Sequence, residues 1–123
     1  TDYQPIISFF EDLSVPIVAT NVPRKYARIV SRGGFEALDT LPEAEKAWMC
    51  PLPIEPDYEL PGYKNMIQMM EGHTGGSDPK NFVNAQALKD ATMAYFILKD
   101  YHQKILIKKQ TLLRGFFLWT NSC

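Results

Sequence analysis

The sequence predicts an α/β fold that is mostly helical and that follows the pattern of a parallel sheet. The chain opens in the order helix, strand, helix and closes on a helix followed by a short strand, an alternation typical of parallel α/β units. Its middle is helical and rich in proline. Because two strands do not make a stable sheet, either the chain is mostly helical or it is part of a larger fold.

The first third of the chain is predicted to hold a helix, a strand and a second helix. Residues 4–13 place apolar side chains at helical spacing, with a proline in the first turn. Residues 15–20 form a short apolar, β-branched run that is typical of a buried strand. Asn21 is the expected N-cap of the second helix, Pro23 lies just inside it, and the glycine pair at 33–34 ends it.

The middle of the chain is predicted to contain short helices joined by an extended connector. Residues 35–38 and 42–49 are the two short helices. Prolines recur between residues 51 and 61, so this stretch is expected to be a connector without regular structure. Residues 61–71 again have helical spacing, with their apolar side chains on one face.

The last third is predicted to begin with a loop and to continue as the longest helix. Residues 72–78 are rich in glycine and form the loop. Asp78 is expected to cap a helix that starts at Pro79 and runs to about Tyr101. Residues 104–107 (KILI) are a candidate strand.

Composition excludes several classes of protein. The chain has 123 residues and a net charge of −1, whereas nucleic-acid binders usually carry a basic patch, so we expect no nucleic-acid partner. No apolar run approaches the roughly 20 residues that span a bilayer. Cys50 and Cys123 are too few for a disulfide scaffold or a four-cysteine zinc site. The chain opens on Thr1 without an initiator methionine, so we expect a mature, processed or partial chain.

Gln86 and Asp90 are polar residues that fall within the predicted apolar stripe of the long helix. At ~100° per residue, they share a sector with five apolar residues, while three polar residues mark the opposite, solvated side. A buried carboxylate needs a partner or becomes neutral, so the pair belongs either to a structural network or to a polar site. The apolar residues are Phe82, Val83, Met93, Ala94 and Ile97, and the polar ones are Lys89, Thr92 and Lys99.

Two further groups of residues allow both a functional and a structural interpretation. Asn21 and Arg24 follow the first predicted strand, where ligands bind in α/β sheets, but they also suit a simple cap and a surface arginine. A second group lies on and after the helix at 61–71 and offers haem-ligand chemistry beside flexible thioethers, although methionine-rich helices are often ordinary core. This second group consists of Tyr63, Met66, Met69, Met70 and His73.

Three blocks of sequence resemble the ChaN-type haem-binding, iron-regulated lipoprotein family. They occur in the family's order, cover most of residues 3–103 and read PIVATNVPRKYARIVSRGGFEAL, LPGYKNMIQMMEGHTGG and NFVNAQALKDATMAYFI. The most specific element is A-Q-x-x-x-D-x-x-M-A, which includes Gln86 and Asp90. The next is N-x-P-R-x-Y, which starts at Asn21.

The resemblance implies an α/β main domain with an added helical subdomain. In this chain residues 1–21 and 77–110 would form the α/β part and residues 22–76 the helical subdomain. It also implies an exported lipoprotein of the cell envelope, in the periplasm or at the outer membrane, which takes part in iron uptake. Its lipid anchor would lie outside this chain. The family resemblance further implies haem binding, iron coordination by a tyrosine and pairing of haems across a homodimer.

The chain departs from the family pattern at both ends. The family's first strands and its Gly-Glu…His motif are absent, and the resemblance fails beyond His102. The expected fold is therefore a fragment of a parallel-sheet α/β domain with an inserted helical subdomain. A shifted reading frame or a truncated gene would produce such an ending.

The resulting hypothesis is a non-catalytic protein that binds haem or another iron porphyrin. One alternative is the remnant of an erythromycin-esterase-like hydrolase with Asp90 and Arg24 in its site, and another is a purely structural or interaction domain. In the haem hypothesis a tyrosine binds the iron, an arginine pairs with a propionate, and polar side chains line the remainder of the site. Tyr63 is the expected iron ligand, and it contacts the ring together with Met66, Met70 and His73. Arg24 is the arginine that pairs with a propionate. The polar lining consists of Asn21, Gln86 and Asp90.

Overall fold

A computed structural model describes residues 2–71 and 78–120, with side chains as far as residue 106 in the last helix. This part of the chain is mostly helical and contains no strand. A short 3-10 helix, Phe35–Leu38, follows the second α-helix. The α-helices are α1 (Gln4–Asp12), α2 (Arg24–Gly33), α3 (Glu43–Lys46), α4 (Pro61–Met70) and α5 (Lys80–Thr120).

Neither predicted strand is present in the described residues, so they do not form the parallel sheet. Residues 15–20 have no regular secondary structure, because a strand needs a neighbour to pair its backbone groups. The strand predicted at residues 104–107 is wrong, since these residues lie inside α5. A short apolar run fits a helix as well as a strand, and no proline or glycine separates it from the preceding helical residues.

The chain divides into two compact units, and α5 contributes to both. One unit consists of Thr1–Ala19 and Gln103–Cys123, and the other is Thr20–His102. In the first unit, α1 exposes most of its apolar side chains, and Phe9 and Phe10 pack edge to face with ring centroids 5.6 Å apart. This unit therefore presents an apolar surface to solvent.

The unit Thr20–His102 contains the hydrophobic core. The apolar stripe of α2 packs against the 3-10 helix, the connector after α3 and the start of α5. Burial of each large apolar side chain contributes about 1.5–3 kcal/mol, so this stripe fixes α2 and α5 together. The core residues are Val22, Tyr26, Ala27, Val30, Leu38, Met49, Ala85 and Leu88.

The ends of α2 and α5 confirm some of the predicted helix caps and contradict others. Asn21 is not the N-cap of α2, because the helix begins at Arg24 with Pro23 before it and no side-chain cap. The predicted glycine end is confirmed, since α2 stops at Gly33 and Gly34 has φ of 72°, a conformation that favours glycine. The predicted cap of α5 is also confirmed, since Asp78 Oδ1 accepts a hydrogen bond from the amide of Lys80 at 2.9 Å.

The buried face of α5 differs from the predicted one. Thr92 was expected on the solvated side but is fully buried, as is Leu88 one turn before it. Phe82 and Ile97, expected in the apolar stripe, are exposed. The reason is that Thr92 finds a partner: its hydroxyl oxygen accepts a hydrogen bond from the backbone amide of Cys50 at 3.3 Å, which removes the cost of burying it.

Candidate functional site

A hydrogen-bonded cluster of three side chains links α4 to α5. The carboxylate of Asp90 accepts the Tyr63 hydroxyl at 2.9 Å on Oδ2 and the Gln86 amide at 2.8 Å on Oδ1. Gln86 and Asp90 lie one helical turn apart on α5, so their side chains meet. The structure thus brings together Tyr63, Gln86 and Asp90, three of the residues that the sequence singled out.

The cluster sets the protonation of its tyrosine. Partial burial, together with the hydrogen bond to Asp90 and the charge of that carboxylate, raises the pKa of Tyr63 to about 12. The phenol is therefore neutral at physiological pH, and its proton lies on the bond to Asp90. Both oxygens of Asp90 accept hydrogen bonds within this cluster, as a half-buried carboxylate requires.

An apolar face of α4 continues from Tyr63. Met66, Ile67 and Met70 follow it at helical spacing, and all four side chains are half-buried, which confirms the predicted face. Met69, expected at the margin of this face, is 75% exposed. The face of α4 that carries Tyr63 thus also carries thioether and aliphatic side chains, which can contact a flat apolar ligand.

Two of the other predicted site residues are not hydrogen-bonded to this cluster. Asn21 and Arg24 are exposed at the start of α2, and neither side chain forms a hydrogen bond or ion pair within the described ranges 2–71 and 78–120. His73 lies outside the described residues. The structure therefore brings Tyr63, Gln86 and Asp90 together and leaves Arg24, Asn21 and His73 as sequence-based predictions.

A second polar network was not predicted from the sequence. The Tyr58 hydroxyl donates to Asn84 Oδ1 at 2.7 Å, and the Asn84 amide donates to Asn81 Oδ1 at 3.3 Å. Asn84 is buried, so these bonds attach the proline-rich connector to the start of α5. The signal in the sequence was the group of amide residues that opens α5, which is unusual for a buried helix face.

A cleft with a volume of about 940 Å³ lies between the 3-10 helix, α3, the following connector and α5. This cleft was not predicted from the sequence, because its walls come from segments far apart in the chain. Its apolar side includes Phe35, Met49, Leu52 and Phe96, and charged side chains line it as well. Cys50, a buried free thiol, also borders the cleft.

Metal and membrane features are limited in the part of the chain that the structure describes. There, no group of three or more histidine, cysteine, aspartate or glutamate side chains is arranged to hold a metal ion. Among the described residues, no helix combines the length and the apolar character needed to cross a membrane.

Comparison with known proteins identifies the family. Residues 1–115 match the model of a family described as haem-binding uptake, Tiki superfamily, ChaN, and the chain belongs to that family. The match continues past residue 103, where the resemblance was expected to end, so that part of the sequence-based expectation is wrong. No curated protein and no solved structure matches the chain significantly.

Proposed function

We propose that the chain binds haem or a related iron porphyrin in iron uptake, without catalysing a reaction, and that Tyr63 is the iron ligand. Membership of a haem-binding uptake family supports the ligand class. The observation that carries the site is the hydrogen bond of 2.9 Å between Tyr63 and Asp90. It fixes a phenol oxygen, a known haem-iron ligand, beside the apolar face of α4.

The residues of the cluster fit this ligand chemically. Haem, when bound, supplies an iron that accepts an oxygen donor from the protein. Tyr63 offers that donor, and Asp90 Oδ2 already accepts the phenol hydrogen, so the carboxylate is placed to receive the proton. Gln86 holds the other carboxylate oxygen and so keeps Asp90 oriented.

The outer part of the proposed site is supported by sequence and exposure. Met66 and Met70 would contact the porphyrin ring with Tyr63, because they are half-buried on the same helix face. Arg24 would pair with a propionate, since its side chain is exposed and has no ion pair within the described residues. His73 would contact the ring and Asn21 would line the polar side.

Titration with haemin tests the proposal. We expect the native chain to shift and sharpen the Soret band with saturation, and Tyr63→Phe to change the band and to weaken binding by at least tenfold. Tyr58→Phe is the matched control, because Tyr58 is also half-buried and also donates to a side chain of α5. No Soret change with the native chain, or equal spectra for Tyr63→Phe and Tyr58→Phe, would overturn the assignment.

The parallel sheet and the homodimer are also proposed features. Residues 15–20 have no regular structure and expose three β-branched side chains, Val15, Ile17 and Val18. We therefore propose that these residues form a strand when a neighbouring strand is present. The homodimer would place two haems near each other. Amide hydrogen exchange of residues 15–20, with and without haemin, measures the pairing: protection on assembly supports it, and fast exchange in every assembled state contradicts it.

A place at the cell envelope is the final proposed property. It is supported by the uptake function in the description of the family. Attachment would use a lipid anchor outside this chain. Fractionation of cells that carry the complete gene, followed by detection in the envelope or in the cytoplasmic fraction, distinguishes this location from a cytoplasmic one.

A further inference from the structure

The cleft of about 940 Å³ lies on the side of α5 away from Asp90. Tyr95, Phe96 and Lys99 border the cleft, and at ~100° per residue they point at least a third of a turn from Asp90. Its volume is within the range of small-molecule sites. It is thus separate from the cluster assigned to haem.

The α5 wall of the cleft is aromatic and already holds a cation. Tyr95 and Phe96 pack edge to face with ring centroids 5.1 Å apart. The Lys99 ammonium lies 5.7 Å from the centroid of Tyr95 and 5.9 Å from that of Phe96. These distances suit a cation–π interaction, so the rings accept an alkylammonium group within the chain itself.

The opposite wall is negatively charged. Glu36 and Asp39 are exposed, and their carboxylates form no ion pair in the part of the chain that the structure describes. The third carboxylate of the cleft, on Glu43, pairs with Lys46 at 3.0 Å. The two unpaired carboxylates therefore leave the cleft complementary to a positive charge.

We propose that this cleft binds a small organic cation, with an apolar body against the aromatic wall and an ammonium group facing Glu36 and Asp39. Phe35, Leu52 and Phe96 provide the apolar contacts. The same carboxylates repel the two propionates of haem, which makes haem a poor ligand for this cleft. Cation binding in this cleft does not require haem binding at Tyr63.

Calorimetric titration with benzyltrimethylammonium tests the proposal, with benzyl alcohol and benzoate as neutral and anionic comparisons. We expect saturable binding of the cation, weaker binding of the alcohol and no binding of benzoate. The double variant Glu36→Gln/Asp39→Asn should bind the cation roughly tenfold more weakly. The matched control is Glu11→Gln/Asp12→Asn, which removes two exposed carboxylates from the other compact unit and should not change the affinity.

A variant that is expected to bind the cation more tightly separates a change in recognition from a loss of structure. Lys99→Gln removes the ammonium that occupies the rings, so the affinity for benzyltrimethylammonium should rise about threefold. Circular dichroism of each variant checks that the helices are intact. No saturable binding of the cation, equal binding of benzoate, or equal affinity of Glu36→Gln/Asp39→Asn and its control would overturn the proposal.

Discussion

At the residue scale, Tyr63 is the group whose chemistry the fold changes most clearly. Its pKa is raised from 10.0 to about 12, first by desolvation and then by the hydrogen bond and charge of Asp90. The fold thus favours the neutral phenol. Its contribution to stability is complete below pH 10 and is lost as the pH rises from 10 to about 12.

Substitution of Asp90 separates the two causes of this shift. In Asp90→Asn the negative charge is gone while burial is retained, so the pKa of Tyr63 should fall and stay above 10.0. The measurement is the ultraviolet absorbance of phenolate as a function of pH. It is made in a Tyr58→Phe background, which removes the absorbance of the other half-buried tyrosine that donates to α5. Glu55→Gln, an exposed carboxylate on the connector, is the control. A Tyr63 pKa that is equal in Asp90→Asn and in the control would contradict the role of the carboxylate.

Tyr26 supplies a second prediction at this scale. Its hydroxyl is fully buried and has no hydrogen-bond partner among the described residues, which costs about 1–3 kcal/mol. Tyr26→Phe keeps the ring, over which Lys25 lies at 4.5 Å, and removes the unpaired group. We expect the free energy of unfolding to rise by about 1 kcal/mol.

Tyr58→Phe is the matched comparison, because the Tyr58 hydroxyl donates to Asn84 at 2.7 Å. Its loss should lower the free energy of unfolding by about 1 kcal/mol. Urea denaturation followed by circular dichroism measures both variants. A lower stability for Tyr26→Phe would mean that the buried hydroxyl finds a partner, such as an internal water, in solution.

At the element scale, a buried hydrogen bond attaches the start of the connector after α3 to the middle of α5. Thr92 accepts the amide of Cys50 inside the core, so Thr92→Val leaves that amide unpaired without changing the volume. The free energy of unfolding should fall by about 2 kcal/mol. Thr40→Val is the control, since the Thr40 hydroxyl is exposed and bonds Ala37 at 3.4 Å. Equal urea midpoints for the two variants would show that the Cys50 amide is paired elsewhere.

Local signals predicted the elements that depend on local chemistry. The extent of α4, its half-buried face, the Asp78 cap and the glycine end of α2 all follow from spacing, side-chain hydrogen bonds and backbone freedom within a few residues. The same reasoning gave Gln86 and Asp90 as an inward polar pair, and the structure shows the tyrosine that pairs with them.

Other features could not be predicted because they depend on distant partners. Thr92 is buried only because the Cys50 amide, far away in sequence, needs an acceptor. The stop of α5 near Tyr101 was expected from a short apolar run, but no helix-breaking residue follows at that point and the helix continues to Thr120. The residues at 15–20 lack a strand neighbour in the described chain, which no local pattern reveals.

At the scale of the whole molecule, the unit formed by Thr1–Ala19 and Gln103–Cys123 exposes several large apolar side chains on α1. Ile6 is 55% exposed and Phe9 is 59% exposed. Contiguous apolar surface of this kind marks an interaction site. We therefore expect the chain to associate in solution as its concentration rises.

The double variant Ile6→Gln/Phe9→Gln tests this expectation, because it removes apolar area from α1 without touching the core of Thr20–His102. Light scattering after size-exclusion chromatography should give a mass that rises with concentration for the native chain and stays near 14.1 kDa for the variant. Trp48→Gln is the control, since Trp48 is 61% exposed in the other unit and its loss should leave association unchanged. If Trp48→Gln abolishes association while Ile6→Gln/Phe9→Gln does not, the contact belongs to the core unit, and α1 is a surface helix without a partner role.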